Sequence, residues 1–483
     1  ISADVVGNLY SLIYTIKKGD NVLHTITTNN GEKIRYILDN AIEWSAETPE
    51  LYTLEIQLID NKGVAMCFRR DFGLKDVRIR ANVLYFNDVA IKFRGVNHHD
   101  SNELHGYYMT VEDYKRDIES MKEYNVNSVR TSHYPPDPIF ILMCEHYGIY
   151  VVDEADIETH GVVGGDVWKP NSISHNLKWK DHMWDRVKRM YERDKNSVAV
   201  TLWSLGNESH GYKCQDYCYE NLKKLSSIPV HYEAVIRTKR FAYDVCSEMY
   251  SPAKKFQKYL DGKLPSKFYD KPYMLCEYAH AMGVGPGDLD FYWDKWYKKD
   301  SLPGGFVWEW RDHSVKHTEK GAKYLYTYGG DHGEKKHDSN FCVDGLLYPD
   351  GRPHTGALCM KNVYSPIRTY NEGGEFVVYN RQDFLTTENI AINWAVYDSG
   401  VLQKNGTLDI VIGAKGFACL PKEITKSIGK DCYLIMTYIS KITDKVLGED
   451  CLKISENLPK IDIKPGVQAI NSGENLRITF DGG

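Results

Sequence analysis

Val200-Thr201-Leu202-Trp203-Ser204-Leu205-Gly206-Asn207-Glu208 begins as a short apolar run and ends on a glycine, an amide and a carboxylate. An apolar run of this length, stopped by glycine, fits a strand buried on both faces. Read outward from it, the pattern recurs, and strands are predicted over 91–98, 127–133, 149–156, 198–206, 230–234, 243–250, 273–279 and 304–310. Between them, 111–124, 182–194, 211–225 and 288–299 carry apolar residues at helical spacing. The fifth-to-sixth connection is short, and its helix is left open. Eight strands alternating with helices inside residues 87–368 predict a (β/α)8 TIM barrel, whose chemistry lies at the C-terminal ends of its strands.

Around the barrel the period changes. Residues 1–86 alternate apolar and polar side chains, as in Tyr52-Thr53-Leu54-Glu55-Ile56-Gln57-Leu58, and predict a small β-sandwich. Alternation returns over 369–458, in Glu375-Phe376-Val377-Val378-Tyr379 and Ile390-Ala391-Ile392-Asn393-Trp394, for a second sandwich. Residues 459–483 hold strand-like pieces, Ile461-Asp462-Ile463 and Leu476-Arg477-Ile478-Thr479-Phe480, expected to open a truncated C-terminal β domain. The expected architecture is a central TIM barrel flanked by two immunoglobulin-like β-sandwiches. The chain starts at Ile1 without an initiator Met, and is read as a stretch of a longer protein.

A net charge of −6, with both signs interspersed, gives no basic stripe and argues against nucleic acid or an anionic membrane surface as a partner. No apolar run approaches the roughly 18 residues of a membrane span, and the first residues do not form a signal peptide. Eleven cysteines without a regular framework point to reduced thiols and a cytoplasmic location. Cys214 and Cys218 share a helix face, but nothing nearby completes a zinc site.

Retaining cleavage of a glycosidic bond needs two carboxyl groups about 5 to 5.5 Å apart, one to protonate the leaving oxygen and one to attack the anomeric carbon. Glu208 ends the fourth predicted strand, and Tyr273-Met274-Leu275-Cys276 delivers Glu277 at the end of the seventh. Burial and a neighbouring negative charge are expected to keep Glu208 protonated as the acid, with Glu277 ionised as the nucleophile.

Longer motifs add a resemblance. Arg94-Gly95-Val96-Asn97-His98-His99-Asp100, Asn127-Ser128-Val129-Arg130-Thr131-Ser132-His133-Tyr134-Pro135, Asp153-Glu154-Ala155-Asp156-Ile157-Glu158-Thr159-His160-Gly161 and Trp203-Ser204-Leu205-Gly206-Asn207-Glu208-Ser209 resemble signatures of glycoside hydrolase family 2, in particular its bacterial β-galactosidases. Cys276-Glu277-Tyr278-Ala279-His280-Ala281-Met282-Gly283 and Gly304-Gly305-Phe306-Val307-Trp308 extend the match. The resemblance implies Glu208 as acid/base and Glu277 as nucleophile. It implies that His99, His133, Asn207 and His280 hold sugar hydroxyls or the transition state, that Tyr250 donates to the nucleophile, and that Trp308 walls the sugar. His337 falls at a sugar-contacting position where an Asn is familiar.

The resemblance further implies Mg2+ on Glu158, His160 and Glu208. It implies Na+ bound partly through the Phe341 carbonyl, in a motif where Asp344 replaces an Asn. Further sodium ligands belong in the family to a domain preceding the first sandwich. Val284-Gly285-Pro286-Gly287 and Asn196-Ser197-Val198 also depart from the familiar pattern, which touches the pocket's shape and not the reaction class.

The function so implied is hydrolysis of terminal β-D-galactose from β-galactosides such as lactose, through a covalent glycosyl-enzyme. Two alternatives stand beside it: another family 2 specificity, for a β-glucuronide or β-mannoside, and an inactive fragment that binds sugar or assembles with other segments. The family often forms homo-oligomers, but no surface in the sequence can be assigned to that contact.

Overall fold

The computed structural model describes residues 11–29, 32–162, 172–317, 325–426, 429, 431–456, 467–471 and 476–480. These group into two compact units, one running to Pro366 and including Arg381–Leu385, the other holding Ile367–Asn380 and the residues from Thr386 on.

The first unit opens with β1 (Ser11–Lys18), β2 (Asn21–Asn29), β3 (Tyr52–Asp60) and β4 (Gly63–Phe72), paired antiparallel in the order β2-β1-β3-β4. Alternation places Leu12, Tyr14 and Ile16 on the buried face of β1. Among the described residues, 11–72 make this one sheet, and 32–43 run without ladder pairing. A small sheet of β5 (Val77–Arg80), β6 (Val83–Phe86) and β7 (Val89–Ala90) follows, and its Leu84 and Phe86 join the barrel's core.

All eight predicted barrel strands form: β8 (Phe93–His98), β9 (Ser128–Thr131), β10 (Tyr150–Glu154), β11 (Val200–Ser204), β12 (Val230–His231), β13 (Cys246–Met249), β14 (Tyr273–Tyr278) and β15 (Gly304–Val307). They pair in parallel in the order β12-β11-β10-β9-β8-β15-β14-β13, leaving one seam between β12 and β13. There the Asp244 N–H donates to the Val230 carbonyl at 3.1 Å, and His231 Nε2 meets Ser247 Oγ at 2.8 Å. The seam arises because β12 lasts two residues before the chain turns into a 3-10 segment, Glu233–Arg237, where the open fifth helix would have been.

The surrounding helices are α1 (Val111–Glu123), α2 (Pro138–Tyr147), α3 (Ser172–His175), α4 (Lys180–Asp194), α5 (Lys213–Leu225), α6 (Ala253–Leu260), α7 (Leu289–Trp296) and α8 (Thr355–Val363). Their ends follow local chemistry. Thr110 and Asp113 form a reciprocal capping box on α1, while Asp137 caps α2 ahead of Pro138 and Gly148, at φ 74°, ends it. A hairpin of β16 (Val315–Lys316) and β17 (Tyr326–Thr327) lies after β15.

In the second unit, β18 (Ile367–Glu372), β19 (Glu375–Asn380) and β22 (Phe417–Cys419) form one sheet. β20 (Ile390–Asp398), β21 (Val401–Leu408), β23 (Asp431–Ser440) and β24 (Val446–Glu456) form the other. Ile367, Phe376 and Val378 of the first meet Ile392, Val396, Leu434 and Met436 of the second in one core, so the unit is two packed sheets. Val467–Asn471 and Leu476–Phe480 pair as a hairpin, whereas Ile461-Asp462-Ile463 lies outside the described residues. Among the described residues, no helix is long and apolar enough to cross a membrane.

Candidate active site

Arg130 stands mid-strand in β9 with no exposed surface, and a guanidinium there is tolerable only if carboxylates surround it. They do. Its Nε and one terminal nitrogen donate to the two oxygens of Glu154, at the end of β10, at 2.8 and 2.9 Å. The other terminal nitrogen donates to Glu277 Oε1 at 2.9 Å and to Asn97 Oδ1 at 3.0 Å. Asn207 Oδ1 accepts from the same fork at 2.9 Å. Burial opposes the charge on Arg130, but Glu154, Cys276 and Glu277 outweigh it and hold its pKa well above the usual value. Burial likewise opposes ionisation of Glu154, and Arg130 reverses that, holding its carboxyl far below the usual range.

Glu277, 3% exposed, takes a second donor on its other oxygen, from the Tyr250 hydroxyl at 2.7 Å. Burial pushes its pKa up, while Arg130, His133 and Tyr250 oppose that rise. Burial and Glu277 raise the Tyr250 phenol, so it stays a donor. Tyr250 itself is aimed by a left-handed backbone, φ 51°, and by its N–H donating to the Glu277 carbonyl at 2.8 Å.

His133 links the two carboxylate neighbourhoods. Its Nδ1 pairs with Glu154 at 2.8 Å, leaving Nε2 to accept from the Asn207 amide at 3.2 Å. The His133 ring stacks on Trp308 at 5.3 Å between centroids, and the Trp308 indole N–H donates to Asp344 Oδ2 at 2.8 Å. His99 sits edge-on to Trp308 and His133, both at 5.5 Å, and burial with His313 and His133 holds its pKa well below the usual value. His280 lies 3.9 Å from Asp344 and 5.6 Å from the Tyr250 ring. Behind the Trp308 wall, burial and then Glu309 raise Asp344 to about 8.

Glu208 follows Gly206, whose φ of 109° brings the backbone so near the Ile157 carbonyl that a Cβ would come within 2.3 Å of it. At φ 23°, Glu208 swings its carboxyl to His160, Oε2 to Nδ1 at 2.7 Å, and keeps 24% of its side chain accessible. Its backbone N–H donates to Glu233 Oε2 at 3.2 Å. Glu233 is fully buried, and burial, with Glu208 and Glu277 adding to it against Arg237, pushes it up to about 8.

The arrangement therefore joins Glu208, Glu277, His99, His133, Asn207, Tyr250, His280, Trp308 and Asp344 at one rim. One expected side chain, that of His337, stands apart from that network. His337 is exposed, its ring packed over Gly330 and its Nδ1 accepting from the Ser339 N–H at 3.2 Å, because 329–341 runs as turns that no barrel strand aims. Phe341, expected to act through its carbonyl, turns an exposed side chain outward, while Asp344 is buried against Trp308.

Of the residues expected to hold a cation, His160 and Glu208 meet. Glu158 is exposed and accepts from the Asn207 amide at 3.3 Å. The donors that do come together, within 4.8 Å of one another, are His160, Glu208 and His210. Two imidazoles and one carboxylate do not fit magnesium, which favours oxygen donors.

Sequence reasoning missed Arg130, Glu154, His210 and Glu233. For Arg130 a signal existed: a charge flanked by Ser128-Val129 and Thr131 in a buried strand demands carboxylate partners. Glu233 carries no such local sign.

Residues 77–369 match the family described as glycosyl hydrolases family 2, TIM barrel domain. A protein named beta-galactosidase from Staphylococcus xylosus is 40% identical over 384 residues, covering 77% of this chain and 37% of that protein. One of the same name from Actinobacillus pleuropneumoniae is 32% identical, covering 91% of this chain and 47% of its own length. The chain thus spans less than half the length of these relatives. Among solved structures, a Bacteroides uniformis beta-glucuronidase superposes with a TM-score of 0.56 at 16% identity, over 93% of this chain and 57% of that one. A beta-galacturonidase from Eisenbergiella tayi gives 0.56 at 18%, over 74% and 66%. At such identities these two likenesses bear on the fold alone.

Proposed function

The chain belongs to glycosyl hydrolase family 2, and from that premise we propose that it forms the catalytic barrel of a retaining β-galactosidase. The observation that carries the reading is Glu277 at the end of β14, its two oxygens held by Arg130 and Tyr250 at 2.9 and 2.7 Å. A carboxylate so fixed is oriented for attack rather than left to sample solvent.

In this reading a β-galactoside lies against Trp308 with its hydroxyls on His99, His133, Asn207 and His280. Glu208 gives its proton to the glycosidic oxygen as the C–O bond breaks, and Glu277 bonds the anomeric carbon. With Glu277 now an ester, Glu208 takes a proton from water, which attacks the same carbon and frees galactose and Glu277. A hydrogen bond from Asn207 to the 2-hydroxyl strengthens as positive charge grows on the ring. The flanking β regions are taken as immunoglobulin-like modules, in keeping with the two packed sheets of the second unit.

Hydrolysis of p-nitrophenyl β-D-galactoside by the purified chain tests this, with Glu277→Gln as control and the β-glucuronide and β-mannoside alongside. Galactoside turnover abolished in the variant supports the reading. Preference for the glucuronide would favour the specificity of the fold's neighbours, and a folded chain inert on all three would favour a sugar-binding or assembly role, which the chain's partial span of its relatives keeps in view.

A further inference from the structure

Glu233 is a buried acid beside Glu208 that no step of the proposed hydrolysis uses. It opens the 3-10 segment Glu233–Arg237 that follows β12. A carboxyl taken out of water loses free energy unless close partners answer it. Here Oε2 accepts the backbone N–H of Glu208 at 3.2 Å, and Oε1 faces a terminal nitrogen of Arg237, four residues on, at 3.5 Å. The Glu208 N–H needs such an acceptor, because the chain is leaving the barrel's ladder. The Leu205 N–H still donates to the His231 carbonyl at 3.0 Å, and the Asn207 N–H to the Ile157 carbonyl at 2.9 Å. Glu208 comes next, at φ 23°, and its N–H turns to a side chain. A non-glycine residue at positive φ persists only where its surroundings hold it. Glu277 takes its two bonds from Arg130 and Tyr250, so the two acids of the reaction have separate supports.

We propose that Glu233 is the positioning residue of the acid/base: its carboxyl holds the Glu208 backbone in the left-handed turn that aims the Glu208 side chain at the leaving oxygen. The inference deepens the reading of Glu208 given above and rests on it. In the first step the bond from the anomeric carbon to the leaving oxygen breaks and its electron pair stays on that oxygen. Glu208 supplies the proton there, while a Glu277 oxygen bonds the carbon. A sugar alkoxide is too basic to leave without that proton. A dinitrophenolate is stable as an anion and leaves unaided. Loss of Glu233 therefore separates two kinds of substrate, which a general loosening of the site does not.

The test compares kcat/KM on lactose and on 2,4-dinitrophenyl β-D-galactoside in the wild type, Glu233→Met, Glu233→Gln and Glu208→Gln. Glu233→Met keeps most of the volume and removes the acceptor. Its lactose value should fall about 10²-fold, the cost of about 1 Å of misplacement, while its dinitrophenyl value stays near wild type. Glu208→Gln, which has lost the acid itself, should discriminate in the same direction and more steeply. Glu233→Gln retains an oxygen for the Glu208 N–H and should restore lactose turnover. Equal falls on the two substrates in Glu233→Met, no fall on lactose, or a folded Glu233→Gln as slow on lactose as Glu233→Met, would overturn the inference. Should Glu233→Met not fold, Glu233→Ala is held to the same two values. If Glu208→Gln discriminates and Glu233→Met does not, the inference alone falls. If Glu208→Gln slows both substrates alike, or the wild type is inert on both, the reading of Glu208 falls and takes the inference with it.

Discussion

The Tyr250 hydroxyl is one of three groups that pull the Glu277 pKa down against burial. Removing it in Tyr250→Phe should therefore move the acid limb of kcat/KM to higher pH and cost about 1.5–3 kcal/mol, the range for a hydrogen bond to a charged group. A pH–rate profile with an unmoved acid limb would separate Tyr250 from the ionisation of Glu277. Asp344 offers a test on stability. Its folded pKa of about 8 exceeds the ordinary 3.8, so the native state holds a proton that the unfolded chain releases, and stability falls as pH rises through that window. Asp344→Asn escapes the loss, and its apparent Tm should equal wild type near pH 4 and exceed it near pH 8, by about 2–4 °C for each kcal/mol recovered. At this scale the two acids were legible because each closes an apolar strand, whereas Glu233 reaches the Glu208 N–H from a 3-10 segment whose place in the fold residue identities do not announce.

The seam between β12 and β13 shows what a barrel does when a ladder is missing. His231 bridges it, with Nδ1 on Ser204 and Nε2 on Ser247, both at 2.8 Å, and burial drives its pKa down to about 3. A histidine kept neutral in the fold but free to charge when unfolded contributes stability above pH 6.5 that is lost as pH falls towards 3. His231→Gln should flatten that part of the pH–Tm curve, and Ser247→Ala should cost about 1–3 kcal/mol by orphaning the ring nitrogen. An unchanged curve in the glutamine variant would remove His231 from the account of acid lability. The strands themselves were readable from their apolar runs, since parallel strands covered on both faces need nothing else. The seam was not, because a two-residue strand has no period. The first sheet is less legible for a related reason: alternation over 11–72 reports one buried face and does not say whether a second sheet or other packing covers it.

Across the whole molecule, the relatives found by sequence and the neighbours found by shape carry names of different specificity. The relatives at 32–40% identity are named beta-galactosidases, while the folded neighbours at 16–20% include beta-glucuronidases. Specificity belongs to the site and not to the fold, so the sequence likeness weighs more. On the proposed reading the chain should favour a β-galactoside over the β-glucuronide in kcat/KM by about 10- to 200-fold, the range for one misfitting group in a substrate pocket. Comparable rates on the two would overturn the galactoside reading. Arg130 carries a consequence for the course of the reaction. At rest its single positive charge faces two buried carboxylates, Glu154 and Glu277, an uneven trio. Esterifying Glu277 evens it to one against one. In the proposed cycle the free enzyme is thus the frustrated state and the sugar-loaded one the relaxed state, and the step that should be slowed by the protein is the restoration of that imbalance when water sets the sugar free.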